Sequence, residues 1–196
     1  MRPVSRALPW VLTGGGALGL LAAFVLTVEK IALLKDPSYS PSCSINPILS
    51  CGSVMKTPQA EVFGFPNPLL GVAGFAVVLT VGVVLLAGAR PPRWFMLGLQ
   101  LGATFGVVFV HWLIFQSLYR IGALCPYCMV VWTVTIPVFW YTTLHNLTTG
   151  VIPVPSSWRR AVEGIARFHS LVLVVWYLLI VALVGVEFWD YWRTLL

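Results

Sequence analysis

Five stretches of this chain are long and apolar enough to cross a bilayer: approximately Leu8 to Leu34, Asn67 to Ala87, Trp94 to Leu118, Cys125 to Leu147 and Phe168 to Trp189. A spanning helix needs roughly 20 predominantly apolar residues. Hydrocarbon offers no water to open backbone N–H and C=O groups, so each stretch must satisfy its own backbone as an α-helix. The sequence therefore predicts an all-α, polytopic membrane protein, with residues 1–196 forming a single membrane domain and little beyond the spans. Composition agrees. Only 9% of residues are charged, where an average soluble domain carries about 25%. Arg2 and Arg6 precede the first apolar run as in a secretory signal, but its length and the four later spans favour an uncleaved first helix.

The net charge of +6 raises the question of nucleic acid. The basic residues form no stripe that could track phosphates, and nucleic acid is not expected as a partner. They sit in short connections and read as a topology signal. A cytoplasmic N-terminus puts Arg2, Arg6, Arg90, Arg93, Arg159, Arg160 and Arg167 inside, clustered as "RPPR" and "SSWRR". Lys30, Lys35, Lys56, Arg120 and Arg193 then lie scattered outside, as does the C-terminus. The long loop, residues 35–66, falls outside with Cys43 and Cys51, and Cys125 and Cys128 fall at the outer end of the fourth span. All four cysteines then share the extracytoplasmic face, where disulfides form and persist.

Smaller features carry further expectations. "INPILSCGSVM" in the loop reads as a short interfacial helix with Asn46 as cap and Pro47 in its first turn. Gly98, Gly102 and Gly106 form a small-residue ridge against which another helix can pack closely. The glycines of "GGGALG" in the first span read as ordinary membrane-helix composition. Pro137 should kink the fourth span and free a carbonyl there for neighbouring helices to satisfy. His111 is either a functional group inside the third span or a core histidine bonded to a carbonyl. Lys30, Glu187 and Asp190 read as side chains snorkelling to the outer interface. Trp10, Trp94 and Trp189 read as interfacial anchors.

The chemistry is concentrated in "GALCPYCMVVW". With Pro126 at the first helical position, Cys125 becomes the N-cap and Cys128 the third residue of the helix. Both sulfurs then lie by unpaired N–H groups and the positive end of the helix dipole, which favours thiolate. The pattern suits thiol redox chemistry. A structural disulfide or a four-cysteine zinc site competes, but Cys43 and Cys51 are spaced C-x7-C rather than the usual zinc spacing. Four cysteines allow three pairings. Cys43 with Cys51 and Cys125 with Cys128 would make two redox couples, and a Cys51 to Cys125 link would connect them by exchange. The apolar run after Cys128 points to a lipid-soluble acceptor such as a quinone, with no metal.

The order of these motifs resembles the vitamin K epoxide reductase family in its bacterial, actinobacterial form, over about residues 10 to 147. The DsbB family has the C-x-x-C first and the second pair later, the reverse of the order here. The resemblance implies a four-helix bundle around a quinone site plus a fifth span, in the plasma membrane. It implies that Cys43 meets the partner's thiols, Cys51 passes electrons to Cys125, and Cys128 lies next to the quinone, menaquinone or ubiquinone. Thr57 matches a family Ser that organises the loop. Asn67, followed by Gly71, matches an Asn that hydrogen-bonds a quinone oxygen. Trp132 stands where animal members have a substrate-bonding Tyr, and either stacks on the quinone or packs in the core. Fused members add a thioredoxin-like domain after the fifth span, so the end of this sequence at Leu196 implies a separate thioredoxin-like or DsbA-like partner. The competing expectation is a noncatalytic scaffold or small transporter stapled by outer disulfides, and the internal repeats typical of transporters are not evident.

Overall fold

The computed structural model describes residues 3–193. Helix α1 runs over Pro3–Lys35, α2 over Cys51–Met55, α3 over Pro68–Leu86, α4 over Arg93–Gln116, α5 over Pro126–Thr148, α6 over Arg159–Arg167, α7 over His169–Glu187 and α8 over Trp189–Arg193. Five segments are long and apolar enough to cross a membrane: Val4–Lys35, Pro68–Leu86, Arg93–Ile121, Pro126–Thr148 and His169–Glu187. The chain is thus an all-α polytopic membrane protein, as its apolar stretches require. Arg2, counted among the inner basic residues, and the C-terminal Leu196 lie outside the described residues.

Helix α1 is the spine, packing on both α3 and α5, while α4 packs on α5. Away from the cysteines the core is built from Leu8, Leu12, Val81, Met96, Val138 and Leu144. The close approach of α1 to α3 depends on glycine. A Cβ on Gly16 would lie 2.6 Å from the Leu79 backbone nitrogen, and one on Gly82 2.5 Å from that of Thr13; Gly19 lies against the Phe75 ring. The "GGGALG" glycines are therefore packing residues, contrary to the reading of them as mere composition. The expected ridge on α4 is corrected in the other direction. No heavy atom comes within 4 Å of a Cβ placed on Gly98 or Gly102, and Gly106 meets only the Thr135 methyl at 3.5 Å. These glycines line open space, because α3 and α4 barely touch each other.

Two sequence expectations about polar groups inside the bundle hold. Pro137 sits within α5 and cannot donate to the carbonyl one turn back, that of Thr133. The Tyr177 hydroxyl on α7 donates to that carbonyl at 2.5 Å. His111 donates through Nδ1 to the Val107 carbonyl at 2.8 Å, and its Nε2 accepts from Trp176 Nε1 at 3.0 Å. With both ring nitrogens engaged, His111 is a hydrogen-bonded bracket between α4 and α7. Helix α7 otherwise buries little of itself. Further bonds at its start, Trp140 Nε1 to the His169 carbonyl at 3.0 Å and the Tyr141 hydroxyl with His169 Nδ1 at 2.8 Å, fasten it to α5.

The outer loop differs from its expected form. The helix in it is only Cys51–Met55, capped by Ser50, whose hydroxyl accepts from the Ser53 amide at 3.2 Å. Asn46 caps a turn instead: its Oδ1 accepts from the amides of Ile48 at 3.0 Å and Leu49 at 2.7 Å. The helix cannot start earlier because Leu49 pairs with Leu124 in an isolated parallel bridge, which holds the chain extended there. Asn side chains that bond nearby amides compete with helix in this way.

Two outcomes test this packing. Gly82→Val should strongly lower the unfolding temperature in detergent by driving α3 off α1, whereas Gly102→Ala should leave it nearly unchanged, as followed by thermal unfolding. Tyr177→Phe should cost about 1 kcal/mol, the scale of an interhelical hydrogen bond in a membrane, measured by the same unfolding assay or by steric trapping.

Candidate functional site

The C-terminal ends of α1 and α4, the N-terminal end of α5 and the loop of residues 36–67 build the site. Helix α4 ends in a π-helical turn over Ser117–Ile121, closed by Gly122 in the left-handed conformation at φ 67°. Glycine reaches that region without steric cost. The turn directs the chain back as Ala123 and Leu124, and Leu124 bridges to the loop: its amide donates to the Ile48 carbonyl at 2.7 Å, and its carbonyl accepts from the Ser50 amide at 2.9 Å. The next residue on one side is Cys125; two residues along on the other is Cys51. The bridge brings their sulfurs to 3.1 Å. Sequence analysis did not anticipate this bridge, since a single pair of residues leaves no alternation to read.

Cys43 and Cys51 are joined by a disulfide, S–S 2.00 Å, while Cys125 and Cys128 are free thiols. Pro126 occupies the first turn of α5, Cys125 is the N-cap, and its sulfur accepts from the Cys128 amide at 3.4 Å, as the spacing led us to expect. The hydrogen bond from the Cys128 thiol holds the Cys125 thiol below the ordinary cysteine range. The amides of Cys128 and Tyr127 add to this, against burial, which opposes it. Cys125 is thus the sulfur prepared to be a thiolate, and thiolate is the attacking species in disulfide exchange. Its sulfur touches Cys51 of an existing disulfide, in a pocket where Cys51 and Cys125 are fully buried.

The loop is held over these sulfurs by two adjacent residues of α1, Glu29 and Lys30. Glu29 accepts from the Tyr39 hydroxyl at 2.9 Å, the Ser42 hydroxyl at 2.5 Å and the Ser42 amide at 3.4 Å. Lys30 donates to the Met55 carbonyl at the end of α2 at 2.6 Å and pairs with Glu61 at 2.8 Å. Lys30 is only 6% exposed, so the snorkelling assignment is corrected: its ammonium turns inward because a helix-end carbonyl and a carboxylate await it there. The sequence signal was present, an acidic and a basic residue side by side near the end of an apolar span, where charge is costly without a partner.

Below the cysteines lies a cavity of about 670 Å3 between α3 and α4, walled by α1 and α5. Cys128, Asn67, Thr57 and Trp132 all line it. Thr57 donates from its hydroxyl to the Val54 carbonyl at 2.8 Å, which closes the turn after α2. Asn67 lies one residue before α3 without capping it; its amide donates to the Gln59 carbonyl at 2.7 Å and accepts from the Val62 amide at 3.2 Å. One of its two N–H donors is therefore committed to the loop. Trp132 packs with Val110, Ile114, Leu118 and Phe188, and its indole N–H is buried without a hydrogen-bond partner among the described residues. A buried donor left unpaired costs about 1–3 kcal/mol, a cost that an acceptor oxygen in the cavity would remove. A largely apolar cavity with few polar groups fits a flat, lipid-soluble carbonyl compound such as a quinone.

Comparison with known proteins bears on this arrangement. The chain matches the sequence model of the Vitamin K epoxide reductase family over residues 10–143. A search among curated proteins finds no match. The matched stretch contains all four cysteines, the loop that carries the disulfide and the helices that wall the cavity. This membrane thiol oxidoreductase belongs to the vitamin K epoxide reductase family.

Proposed function

We propose that the protein generates disulfides in a thioredoxin-like or DsbA-like partner on the extracytoplasmic side of a bacterial plasma membrane and passes the electrons to a quinone. The observation that carries this reading is the 3.1 Å contact between Cys51 and Cys125, which links an outer disulfide to an inner thiol pair. A scaffold stapled by its disulfides has no use for a free thiol against one of them.

The sequence of exchanges conserves electrons at each step. A reduced partner dithiol opens the Cys43–Cys51 disulfide through a mixed disulfide on Cys43 and leaves oxidised. The freed Cys51 thiolate attacks Cys125 of an oxidised Cys125–Cys128 pair and expels Cys128 as thiolate. Cys43 then attacks Cys51, which restores the outer disulfide and releases Cys125. Two electrons have moved from the partner to the inner pair. The bonding pattern at the end of this sequence, outer pair joined and inner pair as thiols, is that of the structure. A quinone supplies the two-electron, two-proton sink that returns Cys125 and Cys128 to a disulfide.

The chain's own residues suit the last step. Cys128 lines the cavity, whereas Cys125 is turned against Cys51, so Cys128 is the sulfur next to the acceptor. The unpaired Trp132 indole N–H and the remaining Asn67 amide N–H are the donors available to acceptor oxygens. Thr57 keeps the loop closed over the cavity mouth. Glycines 98 and 102 leave room for the acceptor's body where side chains would intrude. The outward placement of the cysteines follows the clustering of arginines on the opposite side.

Cys128→Ala should abolish quinone reduction, with purified protein supplied with a reduced thioredoxin-like partner and a soluble quinone. The same variant should accumulate the Cys51 to Cys125 disulfide, formed when the Cys125 thiolate attacks Cys51 and expels Cys43 from the outer disulfide, read by mass spectrometry of unreduced peptides. Wild-type quinol formation in that variant would falsify the scheme.

A further inference from the structure

Lys30 is the one charged residue among those lining the cavity. The rest of the wall is apolar or neutral, and the residue itself is 6% exposed. Its ammonium has three donors, of which one goes to the Met55 carbonyl and one pairs with Glu61. Glu61 does not line the cavity, and its side chain is 38% exposed. A lysine therefore lines an apolar chamber, while the carboxylate that pairs with it does not.

Reduction of a quinone places negative charge on its oxygens before the protons arrive. In a medium of low dielectric, a fixed cation at the wall acts on such charge far more strongly than in water. We propose that Lys30 is the electrostatic residue of the acceptor site, stabilising the negative charge that develops on the quinone as Cys125 and Cys128 are oxidised. This assignment rests on the quinone-reducing reading above. The step balances without Lys30 giving up a proton. Two S–H groups are lost, one S–S bond forms between Cys125 and Cys128, and the two electrons and two protons leave as quinol. Holding Met55 is a second consequence of the same position, and the test must separate the two.

Full-length protein, pre-reduced at the inner cysteines, is mixed with soluble quinones of graded electron affinity. Three quantities are followed: quinone binding by tryptophan quenching, dithiol opening of Cys43–Cys51 by thiol labelling without quinone, and the rate of quinol formation. Lys30→Met should slow quinol formation on the order of 100-fold with the least electron-poor quinone. The loss should shrink as the quinones become more electron-poor, and it should exceed any change in quinone binding or in dithiol opening. Lys30→Arg should retain most of the rate. Glu61→Gln, which leaves the ammonium without its counter-charge, should speed the step. Equal rates in Lys30→Met and wild type would overturn the assignment. So would a loss of the same size for every quinone accompanied by a matching loss in Glu61→Gln, the signature of a latch. If the wild-type protein reduces no quinone at all, the acceptor reading falls and this assignment with it.

Discussion

Two backbone hydrogen bonds around Leu124 organise the chemistry of this protein. They join the loop before Cys51 to the chain before Cys125 at one end of the bundle, where helices have ended and backbone groups need partners from elsewhere. Each cysteine follows its bridged neighbour by one or two residues, so the sulfur contact is set by main-chain geometry rather than by flexible side chains. A loop free to sample many conformations would bring Cys51 to Cys125 rarely. The cost of ordering it, roughly 1–2 kcal/mol per residue of backbone, is met jointly by the bridge and by Glu29 and Lys30. These two buried residues reach in opposite directions along the loop, to Tyr39 and Ser42 and to Met55 and Glu61.

The cavity follows from how close packing is distributed among the helices. Glycines at 16, 19 and 82 let α1 and α3 approach until backbone meets backbone. Helix α4 packs on α5 instead, so α3 and α4 diverge and leave a chamber between them. Gly98 and Gly102 on α4 face that chamber with nothing against them. The same residue type serves contact on one helix and vacancy on another. Which role it plays depends on the neighbour, and a small-residue spacing names no neighbour.

Much of the site was legible in sequence because local chemistry dictates it. Pro126 after Cys125 prescribes the helix start, and with it the Cys128 amide aimed at the Cys125 sulfur. The carbonyl that Pro137 frees had to find a donor in the membrane, and Tyr177 provides one. His111 was open between two readings, and bonds from both ring nitrogens decide for the structural one. The failures share a different character. Asn46 looked like a helix cap because its sequence context is that of one, yet Leu49 was claimed by a partner 75 residues away. Lys30 looked like an interfacial lysine because its pairing with Glu61 spans the loop.

The sequence by itself determined that the chain is a set of membrane-spanning helices and that a helix opens on a C-x-x-C, because both depend on spacing within a segment. Bilayer thickness dictates the first, and the geometry of a proline at a helix start the second. Only the tertiary structure decided which cysteine touches which, where the cavity opens and that Lys30 lies on its wall. Those are contacts between segments far apart in the chain, and in a membrane nothing in hydrophobicity favours one helix face over another. Shape and the need to pair every buried polar group make that choice, and both appear only once the helices are assembled.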